Sequence, residues 1–511
     1  MAFRRLTIIA QDPSVRSKHG ILRARVEIPD EPLAPGPLGY RAQVVDYDAS
    51  TNTLYRSLRL GHTDPFATAS DRKLLSDPQF HQQNVYAIVM RTLARFEFAL
   101  GRRVGWSFRG HQLKIAPHAF AGANAYYSKR DRAMLFGYFT GASGDKVFTC
   151  LSHDVVAHET THALLDGLRE RYRDPSSPDQ AAFHEGFADV VALLSVFSLK
   201  NVVGALLPTG RRKPTAAALR KSALLGLAQQ FGSEVSGVRN GVLRRSAALK
   251  PSRDSLKQPE FAEPHRRGEL LVAAMMNAFL HVWVSRLEGR SGRERIAEEG
   301  ACAADHLLTM SIRAIDYCPP TDIEFRDFLS ALLTADTQLR PGDGKFHYRR
   351  ILLKSFQDYG IRPTSKGPQG VWETPEGKLS YTAVHFESIR HDPDEVFRFI
   401  WANRRSLGLS GDAYTRVLSV RPCQRVGADG FVLRETVAEY IQRIDLPAGE
   451  LKRLGIGAPS SLPSNQEVTL FGGGALIFDE YGRLKFLVRN KMLNSARQTR
   501  RLRYLWRKNA A

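Results

Sequence analysis

Apolar and polar residues alternate near the start of the chain, in ILRARVEIP and YRAQVVDYD, with the Pro/Gly-rich EPLAPGPLG between them. Successive side chains on a strand face opposite ways, so this pattern predicts short strands and turns over residues 1–60. Residues 58–84 are polar and poorly periodic, with some helical turns. From 83 to 100, QNVYAIVMRTLARFEFAL repeats apolar residues at spacings of three and four, which predicts a helix. LKIAPHAFA and NAYYSKRDRAMLFGYF then read as strands with a tight connection. A helix is predicted over 148–168, a loop at DPSSPD (174–179), and a second helix from about 181 to 199.

Residues 204–267 combine a basic amphipathic helix, GRRKPTAAALRKSALLGLAQQFG, with a partly looped stretch. A long apolar helix follows at 268–287, and further helices at 293–316, 322–334 and 346–359. IRPTSKGP, from 361, reads as a linker. Beyond it come a helix near 393–405, strands at 414–420 and 430–434, a hairpin at 472–490, and the tail KMLNSARQTRRLRYLWRK, which carries no acidic residue. No internal repeat is present. The order of elements implies an α+β chain of four regions: a β-rich segment 1–80, then 81–200, a mainly helical 201–360, and a mixed α/β region 370–511.

A chain of 511 residues, 43% hydrophobic and 24% charged, can bury a large core. The net charge of +21 adds an expectation of nucleic acid or another anionic surface as a partner, through the arginine cluster of 211–267 and the basic tail. No helix-turn-helix, zinc finger or aromatic RNA-binding motif accompanies that charge. The four cysteines, Cys150, Cys302, Cys318 and Cys423, form no CxxC pair, so neither a disulfide scaffold nor a thiolate zinc site is expected. The opening MAFRRLTIIAQDPSVRSK has too short an apolar run for a signal peptide, and no uninterrupted 18-residue apolar run follows. A cytoplasmic location without a transmembrane segment is the default expectation; the oligomeric state is left open.

Chemistry concentrates at His158-Glu159-Thr160-Thr161-His162 and Glu185-Gly186-Phe187-Ala188-Asp189. On a helix, the two histidines stand one turn apart on one face, with Glu159 close enough to serve a water on the same metal. A catalytic zinc takes three protein ligands and keeps an open position. Glu185, delivered by an adjacent helix after the DPSSPD turn, would complete a His2Glu set. Asp189, one turn further along, can accept the remaining N–H of a ligating imidazole. Position 165 is Leu rather than Gly and position 168 is Leu rather than His, which sets metzincin chemistry aside.

These motifs, with Asp154-Val155-Val156 before them and His162-Ala163 closing the first, resemble the thermolysin-like gluzincin metallopeptidases over roughly residues 80–360. The resemblance implies a thermolysin-like zincin core: an N-terminal sheet subdomain, an HExxH helix, a glutamate helix and a mainly helical subdomain completing the cleft, here with an additional C-terminal region. It implies zinc bound by His158, His162 and Glu185, Glu159 as general base, and Asp189 supporting the first histidine. Asn124-Ala125-Tyr126-Tyr127 resembles the family's substrate-holding edge strand, which implies substrate binding by Asn124, Ala125 and Tyr126. His265, before the long apolar helix, and Tyr172, one residue short of the family spacing, are implied as oxyanion donors. Glu260 would orient His265, with Glu263 as its rival. Asp154 matches a calcium ligand of the family, but the acidic residues expected after the zinc glutamate are missing. Asp154 is therefore expected to cap or anchor the catalytic helix. The resulting expectation is a zinc-dependent metallopeptidase acting on protein or peptide substrates. The alternative is a nucleic-acid-binding or regulatory protein with a non-catalytic zincin-like domain.

Overall fold

The computed structural model describes residues 2–17, 20–141, 144–207, 214–221, 245–246, 248–289, 291–375, 379–382, 384–427 and 430–509. Most of the basic amphipathic helix expected at 210–232 lies outside the described residues. The alternating segments at the start pair antiparallel as Phe3–Ile9 (β1) and Arg23–Pro29 (β2), in register from Phe3↔Pro29 to Ile9↔Arg23. A mixed sheet follows from Ala42–Val44 (β3), Leu113–Ala121 (β4), Ala125–Ser128 (β5), Ala133–Thr140 (β6) and Lys146–Phe148 (β7). Its order is β7-β6-β4-β3, with β3 and β6 parallel to β4, and β5 lying beside β6 in line with β7.

Helix Pro78–Leu100 (α1) starts at Pro78, with the Asp77 carboxylate accepting from the Gln79 N–H at 2.9 Å. It begins five residues before the apolar periodicity does, because His81, Gln82, Gln83 and Asn84 are buried polar residues. Asn84 accepts from the Ile9 N–H and donates to the Cys150 carbonyl, both at 2.9 Å, while Gln83 donates to Thr7 O at 3.0 Å. Gly101 ends α1 in the left-handed region, φ +67°; a Cβ there would lie 2.3 Å from the Gln424 carbonyl oxygen of a later strand.

Helices His153–Leu168 (α2) and Pro178–Phe197 (α3) pack against each other, and α3 packs against Pro264–Arg286 (α4). The α3–α4 crossing is close because it is built on two glycines: a Cβ on Gly186 would sit 3.0 Å from the Gly268 carbonyl. By length and apolar composition α4 could cross a membrane, but its side chains are buried against α3, Arg293–Ala314 (α5) and Tyr348–Gln357 (α7). Phe325–Leu339 (α6) completes this helical layer.

The stretch at 361–372 is tied down rather than free. Thr364 donates to Asp327 at 2.6 Å, the Ser365 N–H to Ser330 Oγ at 3.0 Å, and the Trp372 N–H to Thr334 Oγ1 at 2.9 Å, all on α6. Helix Pro393–Ala402 (α8) then covers one face of an antiparallel meander formed by Tyr414–Val426 (β8), Val432–Pro447 (β9), Glu467–Phe478 (β10) and Leu484–Asn490 (β11). From the other face, Ala475, Ile477, Phe486 and Val488 join the main core. The final helix, Ser495–Asn509 (α9), consumes part of the basic tail internally: Arg497 pairs with Asp327 at 3.1 Å, and Arg501 donates to Thr469 O at 2.6 Å.

The chain is thus α+β with several separate sheets. The helix predicted from 148 begins at His153, because Phe148 closes β7 and Thr149–Leu151 forms a 3-10 turn. Strand β9 runs far beyond the predicted 430–434, because Glu435 and Glu439 on its buried face disguise the alternation.

Candidate metal centre

Helix α2 is held at both ends. At its start the His153 N–H donates to the Gln11 carbonyl at 2.7 Å, and Ser152 Oγ bonds the Asp12 carboxylate. At its end the buried Arg169 bonds Glu439 of β9 and the Ile315 carbonyl. Between these clamps the buried hydroxyls of Thr160 and Thr161 donate to carbonyls four residues back, at 2.6 and 2.7 Å. This lets a polar HETTH segment lie inside the protein. Helix α3 starts at Pro178, with Ser177 Oγ accepting from the Gln180 N–H at 3.1 Å.

The α2–α3 packing brings His158, His162 and Glu185 together, with one donor atom from each within 4.8 Å of the others. His158 Nε2 is 3.4 Å from Glu185 Oε2, and His162 Nε2 is 3.5 Å from Glu185 Oε1. The two imidazoles are perpendicular, with centroids 4.4 Å apart. His158 Nδ1 is 2.7 Å from Asp189 Oδ1, one turn beyond Glu185. A proton on that nitrogen leaves Nε2 as a lone pair facing the ligand set. Burial by itself would raise Glu185, but His162 and His158 outweigh it and hold the carboxylate well below its ordinary range. Two imidazole nitrogens and one carboxylate, converging from two helices, can hold a metal ion and leave a coordination position open.

Glu159 is buried beside this cluster, and its Oε2 accepts from the Tyr127 backbone N–H at 2.9 Å. Tyr127 belongs to β5. That strand pairs with β6 on one side, and among the described residues nothing pairs with its other edge. Within the same stretch Asn124 turns its side-chain oxygen to the Ala125 N–H at 2.9 Å, Ala125 is buried, and Tyr126 is exposed. Asn124 and Ala125 are thus engaged with each other, beside an open strand edge.

Several expected positions differ. Tyr172 is 1% exposed, gives its hydroxyl to the Pro319 carbonyl at 2.7 Å and packs its ring on Phe183. It is a core residue whose donor is already used, which removes it as an oxyanion group. His265 lies exposed in the first turn of α4, and among the described residues no contact joins its side chain to the cluster. Glu260 lies 3.7 Å from Arg266, not against His265, while Glu263 caps α4 through the His265 and Arg266 N–H groups. Asp154 is not the cap of α2, a position held by Ser152. It is buried in the first turn, and burial, reinforced by the neighbouring Asp12 charge, pushes its carboxyl up to about 7.

The structure adds groups that sequence reading passed over. His184 stacks on His162 with centroids 4.6 Å apart, and its Nε2 meets Asp166 at 2.8 Å. Asp166 also pairs with Arg173 at 3.2 Å. Burial, then the His162 charge, lower the His184 imidazole. The available signals were its place next to Glu185 and the position of Asp166 one helical turn after His162. Gln11 and Asp12 carried no such signal, since only the tertiary fold brings them to α2.

No model of a known protein family matches the chain, and comparison with curated proteins gives no match.

Proposed function

We propose that the chain is a zinc-dependent metallopeptidase of the thermolysin-like gluzincin kind, hydrolysing peptide bonds in protein or peptide substrates. The observation that carries this reading is the convergence of His158, His162 and Glu185, with Asp189 behind His158 and Glu159 alongside. The donor set fits a catalytic zinc, with both histidines offering Nε2 and Glu185 its carboxylate. Zinc bound there supplies Lewis acidity and a nucleophilic water at neutral pH.

The chain's own groups perform the remaining steps. Asp189 fixes the His158 ring and its tautomer. The Tyr127 N–H holds Glu159 by one carboxylate oxygen. Glu159 takes a proton from the attacking water and passes it to the leaving amine. Beyond the Ala125 and Tyr127 N–H groups, which Asn124 and Glu159 hold, the outer edge of β5 offers its remaining main-chain groups to an extended peptide, a mode that tolerates many sequences. The alternative, a nucleic-acid-binding protein with a non-catalytic zincin-like domain, rests on the charge of +21, of which Arg497 and Arg501 are turned inward.

The test is cleavage of a peptide library by the zinc-loaded chain and by its Glu159→Gln variant. The wild type is expected to cleave, and the variant to be slower by about 100-fold or more while still binding metal. A zinc-loaded wild type that cleaves nothing the variant spares would remove the enzyme reading, and so would a variant that cleaves as fast as the wild type.

A further inference from the structure

A second group of donor atoms converges well before the HExxH motif in the chain. His81 comes from the first turns of α1, His118 from β4, and Cys150 from the 3-10 turn that leads into α2. His81 Nδ1, His118 Nε2 and Cys150 Sγ lie within reach of one ion, their donor atoms inside 4.8 Å of one another. All three residues are sealed from solvent, at 1%, 1% and 0% exposure.

The outward-facing nitrogens fix the tautomers. His118 Nδ1 is 2.8 Å from Asp46 Oδ1, and His81 Nε2 is 3.1 Å from the Leu75 carbonyl; both partners are acceptors. Each outward nitrogen therefore carries the proton, and a neutral ring presents a bare lone pair on its inner nitrogen. Yet the two inner nitrogens, His81 Nδ1 and His118 Nε2, face each other at 2.8 Å. Two lone pairs at that distance repel, so a proton or a metal ion between them stabilises the arrangement.

We propose that His81, His118 and Cys150 form a second metal site, structural in role, for a thiophilic first-row transition ion, zinc or copper. Two imidazoles and a thiolate are a donor set that both metals accept. The carboxylate on His118 and the carbonyl on His81 are the outer partners that orient metal-bound histidines. Asp46 is itself held by Gln82 Nε2 at 2.8 Å. For a dication the charges close: as the metal–sulfur bond forms, the Cys150 thiol releases its proton to solvent, and the thiolate with Asp46 balances the ion. Phe148 packs on both imidazoles, at 4.7 and 5.3 Å between centroids, and Tyr55 on His118 at 4.8 Å, giving an aromatic wall against water. An ion there staples the lead-in of α2 to α1 and to the central sheet. A proton on His118 Nε2 also satisfies the imidazole pair, but it gives Cys150 no part. The absence of a CxxC pair did not reveal this site, since its one thiolate and two histidines come from three separate elements.

The full-length chain, stripped of metal and reloaded with Co2+, separates these cases. The wild type is expected to show thiolate-to-cobalt charge-transfer absorption, which a His2Glu set cannot produce. Cys150→Ser is expected to abolish that band and remove one bound ion per chain, while His158→Gln keeps the band. Elemental analysis of the protein as purified distinguishes zinc from copper. If Cys150→Ser does not fold, 113Cd NMR of the wild type decides, with a sulfur-ligated resonance expected. The proposal is overturned by a wild type with no thiolate band and only nitrogen- and oxygen-ligated cadmium, the result for a proton-bridged pair. Survival of the band in folded Cys150→Ser overturns it as well.

Discussion

Histidines in this protein differ in what their surroundings ask of them. His158 and His162 face a carboxylate, whereas His153 is fully buried, His306 is half-buried, and among the described residues no carboxylate pairs with either ring. His153 Nε2 bonds Ser195 Oγ at 3.0 Å, and His306 lies near Arg340. Burial, then the charges of Arg91 and Arg340 respectively, lower both imidazoles from 6.5 to about 3. The sign follows directly. The unfolded chain protonates these rings near pH 6.5 and the folded chain only near 3, so the unfolded state holds more protons between those values. Stability therefore rises with pH through that window and is lost as pH falls below 6.5, by up to about 1.4 kcal/mol per pH unit for each histidine. The urea midpoint should drop between pH 7 and pH 5, and the His153→Gln/His306→Gln double variant should show a shallower drop. Equal slopes in the two proteins would contradict this assignment.

Helices α2 and α3 carry the His158, His162 and Glu185 cluster, and their placement depends on contacts at their ends as much as on their own sequence. Arg169, past the last turn of α2, reaches Glu439 on β9 in a fully buried ion pair. Removing Arg169 leaves the buried Glu439 with only the longer Arg421 contact, at 3.8 Å, so Arg169→Ala is expected to destabilise the protein by roughly 3 kcal/mol, read as a lower denaturant midpoint. A change under 1 kcal/mol would show that the clamp is dispensable. The cluster itself was legible in the sequence, because helical spacing alone places His158 over His162 and Glu185 over Asp189. The clamps were not. Gln82, Gln83 and Asn84 look like a polar lead-in to α1, yet they are buried because each spends its amide on another element. Glu435 and Glu439 likewise read as solvent-facing but meet Arg425 and Arg169 inside. Tyr172 misled for the complementary reason: its position in the chain matched a role, while its hydroxyl was already bonded to Pro319.

At the scale of the molecule, the region after residue 370 read as a separate addition beyond a linker. Instead, Ile477, Phe486 and Val488 belong to the main core, and Arg425 joins Asp316 to Glu435 across the boundary. Arg102 holds the same Asp316 by two bonds of 2.6 and 2.7 Å. Shared apolar burial and a buried ion network couple the regions, so scanning calorimetry should show one unfolding transition. Two well-separated transitions would mean that the C-terminal sheet folds independently. The proposed chemistry turns on one feature, the meeting of α2 and α3 at His158, His162 and Glu185. Its most direct test is an anomalous-difference map at the zinc absorption edge from zinc-loaded crystals. The result expected is a peak bonded by His158 Nε2, His162 Nε2 and the Glu185 carboxylate; a zinc-loaded protein with no peak between those three residues would contradict it.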